Sequence, residues 1–373
     1  MKRFATICLS AAAVLLSGLA YGQPVFISAA ARDKFPVSEA VQKGVPMFKK
    51  AFAELMKKVG DKKIKAIIIT DNVGASGEIA AELEKLLPNT PYIGIANNWA
   101  DYLPVDRDTL GQAVDKTNVQ GIVITAITGD VDVQIEMVEG LTYKEVSYDL
   151  SQADQDKAWA EQKAAHAAKA EELAKKFKFP TGAGITNVLM VSGPMHTPRQ
   201  ELVYSGLEKS LPKDVKLIAG AGSNFSNIYY KGKAPRDALF GLRLSGKFQA
   251  VASGLNHGKN ADVQLESILK DLTGQLHSAK PTAMFYFGCA GWNNNLDKQQ
   301  KVLQQYLPDG IGVYGQYCGG EIGKLKDQTM TAGTGLGVVI LMAPLASETA
   351  TTQATTATQS AATQPASTKA EQK

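Results

Sequence analysis

The chain has 373 residues, 45% of them hydrophobic and 20% charged, with a formal net charge of +4. This is the composition of a globular protein able to bury a sizeable core. The near-neutral balance, with no basic stripe, excludes the electrostatic footprint of a nucleic-acid-binding protein.

In chain order, Met1-Lys2-Arg3 is a basic start and residues 4–19 are mostly apolar. Ala20-Tyr21-Gly22 then places small residues where a signal peptidase reads. The pattern predicts a secretory signal over 1–22, cleaved before Gln23, and export to a periplasm or beyond the cell. The apolar run is short for a membrane span, and no later stretch resembles one. No cysteine comes directly after Leu19, so a lipoprotein is unsupported. Lys2, Arg3 and Cys8 leave with the signal. Cys289 and Cys318 remain.

Between the signal and residue 343, one order of features recurs three times. The first copy has a buried-type strand over 65–70, a polar Gly turn from Asp71 to Gly77, and a helix ending Leu87-Pro88. A strand over 92–96, the polar pair Asn97-Asn98 and a strand over 121–127 complete it. The second copy has strands over 187–191, 216–220 and 238–244, with a helix ending Leu211-Pro212 and the polar pair Ser223-Asn224. The third has strands over 283–287, 311–314 and 336–341 and a helix ending Leu307-Pro308. Proline cannot continue a helix, so Leu-Pro marks each helix end. Lead-in strands over 25–28, 145–148 and 249–252 precede helices over 38–58, 151–178 and 261–276, so the copies begin near 24, 143 and 248. Strands alternating with helices of this length predict an α/β fold: repeated βαβαββ units forming layered mixed sheets with crossover helices. The expected organisation is a signal (1–22), an N-terminal region with copies one and two (23–246) and a C-terminal region with copy three (247–343). A Thr/Ala/Gln-rich tail (344–373) has too little apolar area to order itself.

Two stretches of the third copy carry a family resemblance. Ala283-Met284-Phe285-Tyr286-Phe287-Gly288-Cys289-Ala290-Gly291 and Gly315-Gln316-Tyr317-Cys318-Gly319-Gly320-Glu321-Ile322-Gly323 resemble the paired signatures of FIST sensory domains. The match is specific over about 280–342 and looser over 24–280. Trp292 stands where the family often has arginine, and Asn97-Asn98-Trp99 where a Gly-Glu-like turn is usual. The resemblance implies an exported sensory-type protein that binds a small polar metabolite such as an amino acid. No kinase or cyclase domain is attached, so a membrane receptor or sensor protein is the implied partner.

In open α/β sheets, ligands bind at the carboxyl ends of parallel strands. The candidate ligand-binding residues there are Asn97, Asn98, Asn224, Cys289, Asn293, Cys318 and Glu321. Amides supply donors and acceptors together, and the Gly turns expose helix N-termini. Asp71, Asn72, Ser76, Trp99, His196, Arg199, Asn227, Trp292 and Asn294 occupy similar places. The alternative is structural: Asn and Gly populate turns for backbone reasons, tryptophans pack, and Glu321 caps its own turn. Cys289 and Cys318 end neighbouring strands about 5 Å apart, within the roughly 7 Å a disulfide spans, so pairing and two separate thiols both stay open. The four histidines show no zinc spacing with either cysteine, and no metal or cofactor is indicated. Two other functions remain: an envelope hydrolase or transferase using Cys289 or Cys318, and a structural or partner-binding module. No Gly-x-Ser-x-Gly elbow or P-loop lysine supports an enzyme.

Overall fold

The computed structural model describes residues 22–97, 103–113, 119–141, 146–147, 149–193, 200–221, 226–255, 260–292, 295–319, 321–325, 328–330 and 337–345. Within them the chain repeats one succession of elements. Copy one runs β1 (Pro24–Lys34), α1 (Ala40–Val59), β2 (Ala66–Asp71), α2 (Ser76–Leu86), β3 (Tyr92–Ala96), β4 (Pro104–Val105) and β5 (Val119–Gly129). Copy two runs β6 (Asp132–Glu139), α3 (Gln152–Lys176), β7 (Thr186–Gly193), α4 (Gln200–Ser210), β8 (Lys216–Ala221), β9 (Asn227–Tyr229) and β10 (Ala238–Gly246). Copy three runs β11 (Phe248–Leu255), α5 (Ala261–Gln275), β12 (Ala283–Cys289), α6 (Leu296–Tyr306), β13 (Gly312–Cys318), β14 (Glu321–Leu325), β15 (Gln328–Met330) and β16 (Gly337–Pro344).

The Leu-Pro signal acts alike in each copy. Leu87, Leu211 and Leu307 each donate a backbone bond to the carbonyl four residues earlier, closing the last helical turn at 2.8–2.9 Å. The proline that follows halts the helix there.

The copies build three mixed sheets, ordered β1-β5-β2-β3-β9, β15-β14-β8-β7-β10-β6 and β11-β16-β12-β13-β4. In each, the lead-in strand pairs antiparallel with the last strand, and the last strand antiparallel with the first core strand. The two core strands, β2/β3, β7/β8 and β12/β13, run parallel, as a helical crossover allows. The edge beside the second core strand is filled from another copy: β9 of copy two joins β3, β14 of copy three joins β8, and β4 of copy one joins β13. This exchange is cyclic. It ties the N-terminal and C-terminal regions into one set of sheets and adds a strand that the βαβαββ pattern lacks.

Side-chain alternation sends one face of every sheet inward. Phe26, Ile68, Ile95, Met190, Phe240, Phe285, Tyr314 and Ile340 meet there in a core shared by all three sheets. The opposite faces carry helices: α1 and α2 on the first sheet, α3 and α4 on the second, α5 and α6 on the third. Strands covered on both faces read as continuous apolar runs, such as Ile67-Ile68-Ile69.

One element lies elsewhere than predicted. The lead-in strand of copy two is β6, not 145–148; of those residues only Val146 and Ser147 are described, and neither is in a strand. The chain turns at Gly129, whose φ of +88° suits glycine, and pairs immediately with β10 from Asp132. Copy two therefore begins some ten residues earlier than its composition indicated.

Candidate functional site

The strand ends of all three sheets are linked by buried polar contacts. On β13, the inward row is Tyr314, Gln316 and Cys318, spaced by two as a strand requires. The Gln316 Oε1 accepts from Asn97 Nδ2 at 2.8 Å and from the Thr70 hydroxyl at 3.2 Å. Ser226, just before β9, donates to Asn97 Oδ1 at 2.8 Å. Residues from three copies thus close on one amide pair. Farther along, the Cys318 thiol lies 3.5 Å from Glu321 Oε1. Glu321 opens β14 and pairs with Gly220, whose carbonyl accepts from Ser192 Oγ at 2.8 Å.

Three atoms in this region are buried and have no hydrogen-bond partner among the described residues: Gln316 Nε2, Glu321 Oε2 and the Tyr314 hydroxyl. Burial drives the Glu321 carboxyl well above the usual glutamate range, while the Cys318 thiol and its own backbone N–H pull the other way. Burial thus favours the protonated form of Glu321, which can donate through one oxygen. Burial also raises the Tyr314 hydroxyl, which stays protonated.

A second cluster lies behind β2, toward the helices. Asp71 accepts from the Tyr229 hydroxyl at 2.6 Å and from Val73 N–H at 2.9 Å. Burial dominates, and its carboxyl is pushed up to about 7 against those two donors. Asn227 Nδ2 bonds Ser76 Oγ at 2.5 Å, and Arg236 Nε donates to Asn227 Oδ1 at 3.2 Å. The exchanged strand β9 carries both Asn227 and Tyr229 into copy one. Asn72 Oδ1 accepts from Gly121 N–H at 2.7 Å and serves the backbone of β5.

Of the seven sequence candidates, the structure joins Cys318 to Glu321 directly and Asn97 to Gln316, which shares the inward row of β13 with Cys318. Asn97 has its side-chain oxygen and nitrogen both bonded and acts as a clasp between copies. Cys289 and Cys318 are adjacent in register on β12 and β13, as their spacing indicated. They are not joined in a disulfide. Cys318 packs in the central core, whereas Cys289 lies half-buried against the outer cluster under α5 and α6. Asn98, Asn224 and Asn293 lie outside the described residues, as do Trp99, His196, Arg199 and Asn294.

Gln316 was not singled out, although it sits inside the family-like stretch. The available signal was a polar residue at an inward position of a strand buried on both faces. Thr70 and Ser226 carried no such signal, because their partners lie 246 and 129 residues away.

Cavities of about 470, 430 and 190 Å³ are lined by described residues. None is lined by any of the seven candidates. No group of three metal-ligating side chains occurs among the described residues, and no described helix is long and apolar enough to cross a membrane. A scan against protein-family models gave no match for this chain, and a search of curated proteins found none either.

Proposed function

We propose that this is an exported, FIST-like sensory protein that binds a small polar metabolite, such as an amino acid, at the strand ends around Gln316, Cys318 and Glu321. The observation that carries the reading is the trio of buried polar atoms without partners there. An unmet buried polar group costs about 1–3 kcal/mol, so a cluster of them is retained where a ligand completes it. Carboxyl ends of parallel strands are also where α/β sheets place ligands. A membrane receptor or sensor protein would read the bound state.

The Cys318–Glu321 contact favours a second reading, thiol chemistry in an envelope enzyme. Two features weigh against it: Cys318 is fully buried, and burial disfavours the ionised Glu321 that a base requires.

Thermal-shift screening of the full chain against amino acids and small metabolites tests the first reading. A ligand at a hundredfold excess over its Kd adds about 2.7 kcal/mol to stability. The upward shift of Tm should appear in the parent chain and vanish in Glu321→Gln and Gln316→Leu. A flat response across the panel, or a shift indifferent to both substitutions, rejects it.

A further inference from the structure

The cyclic architecture creates seams in which a lead-in strand of one copy faces the second core strand of another. Two are lined by corresponding parts. In the seam between copies one and three, the parts are β1, Ile311 at the start of β13, and residues 106–109 following the exchanged β4. In the seam between copies two and one they are β6, residues 87–92 leading into β3, and Tyr230-Lys231 following the exchanged β9. The first seam is nearly closed, with a cavity of about 190 Å³. Arg107 lines it, donating to the Leu307 carbonyl at 3.3 Å and to Asp309 at 2.5 Å. The second seam is open, with a cavity of about 470 Å³.

We infer that the open seam is a second binding site, for a small uncharged molecule with an apolar ring-sized body. Its volume lies within the roughly 300–1,000 Å³ of ligand pockets, which are mostly apolar with few polar groups. Leu87, Pro88, Pro91, Val133 and Ile135 supply apolar walls, with the Tyr92 and Tyr230 rings beside them. Tyr92, Glu84 and Lys231 at its rim are engaged within the protein. The Tyr92 hydroxyl donates to Glu84 Oε2 at 2.8 Å and accepts from Gly232 N–H. The Lys231 ammonium lies 5.0 Å from the Tyr230 ring centroid, in cation–π geometry. Glu84 and Lys231 cancel in charge, so the cleft selects for neither an anion nor a cation. The site is separate from the strand-end cluster and does not depend on a ligand there.

The test uses the full chain and the uncharged fluorophore N-phenyl-1-naphthylamine, whose emission rises in apolar surroundings. Saturable one-to-one binding is expected, at least tenfold weaker in Thr90→Trp, which fills the cleft from its half-exposed wall, and in Ile135→Arg. Binding should be unchanged in Glu321→Gln. Hydrogen exchange of the unmutated chain supplies a readout that needs no variant: the probe should slow residues 87–92 and 133–135. No saturable binding, binding indifferent to a folded Thr90→Trp, or protection confined to other residues overturns the assignment.

Discussion

The two seams are built from corresponding backbone parts, yet one is a joint and the other a cleft. In the β1 seam, Arg32 reaches from β1 to the Pro104 carbonyl at 2.7 Å and to Asp106 at 2.8 Å, and Ser28 Oγ donates to the Val313 carbonyl at 3.1 Å. Arg107 lines the cavity that remains. In the β6 seam the cationic residue is Lys231, whose φ of +47° and contact with Tyr230 leave it at the rim. The backbone repeat therefore decides where a seam lies, and the side chains that bond across it decide whether it closes. Arginine suits closure because its planar fork bonds a carbonyl and a carboxylate together, which a lysine ammonium does less well.

Breaking the closed seam should have the largest effect. Asp106 is buried and accepts from Arg32 as well as from Asp108 N–H, Thr109 N–H and the Thr109 hydroxyl. Arg32→Met leaves that carboxylate without its cation, which costs about 3–5 kcal/mol for a buried pair. Urea unfolding should show a correspondingly lower midpoint; a loss near that of a surface lysine substitution would mean the pair is not holding the seam.

The next effect concerns the wall of the open seam, since Tyr229 anchors β9 through Asp71 just before Tyr230. An aspartate ordinarily titrates near 3.9, and this one near 7. Between those values the folded chain holds a proton that the unfolded chain has released. Stability therefore falls as pH rises from about 4 to about 7. Glu321, also raised, contributes with the same sign, so the informative quantity is the difference between parent and variant. From pH 5 to pH 8, Asp71→Asn should lose less stability than the parent by about 3 kcal/mol, at ~1.4 kcal/mol per pH unit over the titrating part. Equal losses in urea titrations at the two pH values would remove Asp71 as their source.

The smallest effect belongs to the rim of the open seam. Tyr92→Phe removes the hydroxyl that bridges Glu84 and Gly232 N–H. Both partners stay near solvent, so the cost should be about 1 kcal/mol. A Tm change as large as that of Arg32→Met would show that this seam too is a structural joint.

Much of this was legible in the sequence. The three Leu-Pro endings and the stretches 38–58, 151–178 and 261–276 all correspond to helices, and a helix that covers a sheet keeps a buried stripe, as α1 does with Phe48, Ala51, Leu55 and Val59. The continuous runs at 66–69, 188–191 and 338–341 gave core strands, because burial on both faces removes polar residues. The Leu-Pro recurrence gave the copy number, since the stop signal is local. The strand-end position of Glu321 followed from the same repeat.

Tertiary structure alone decided the rest. The exchanged strands β4, β9 and β14 are two to five residues long, too short for a local period to mark them. They are strands only because another copy offers an unpaired edge. The early start of copy two was hidden because β6 is an edge strand, half-buried along most of its length, with charges interleaved among Val133, Ile135 and Met137. Asn97 reads as a turn residue until Gln316, 219 positions away, takes its amide hydrogen bond. Which polar atoms end up paired, and which seam stays open, depends on contacts between copies, which no stretch of a single copy specifies by itself.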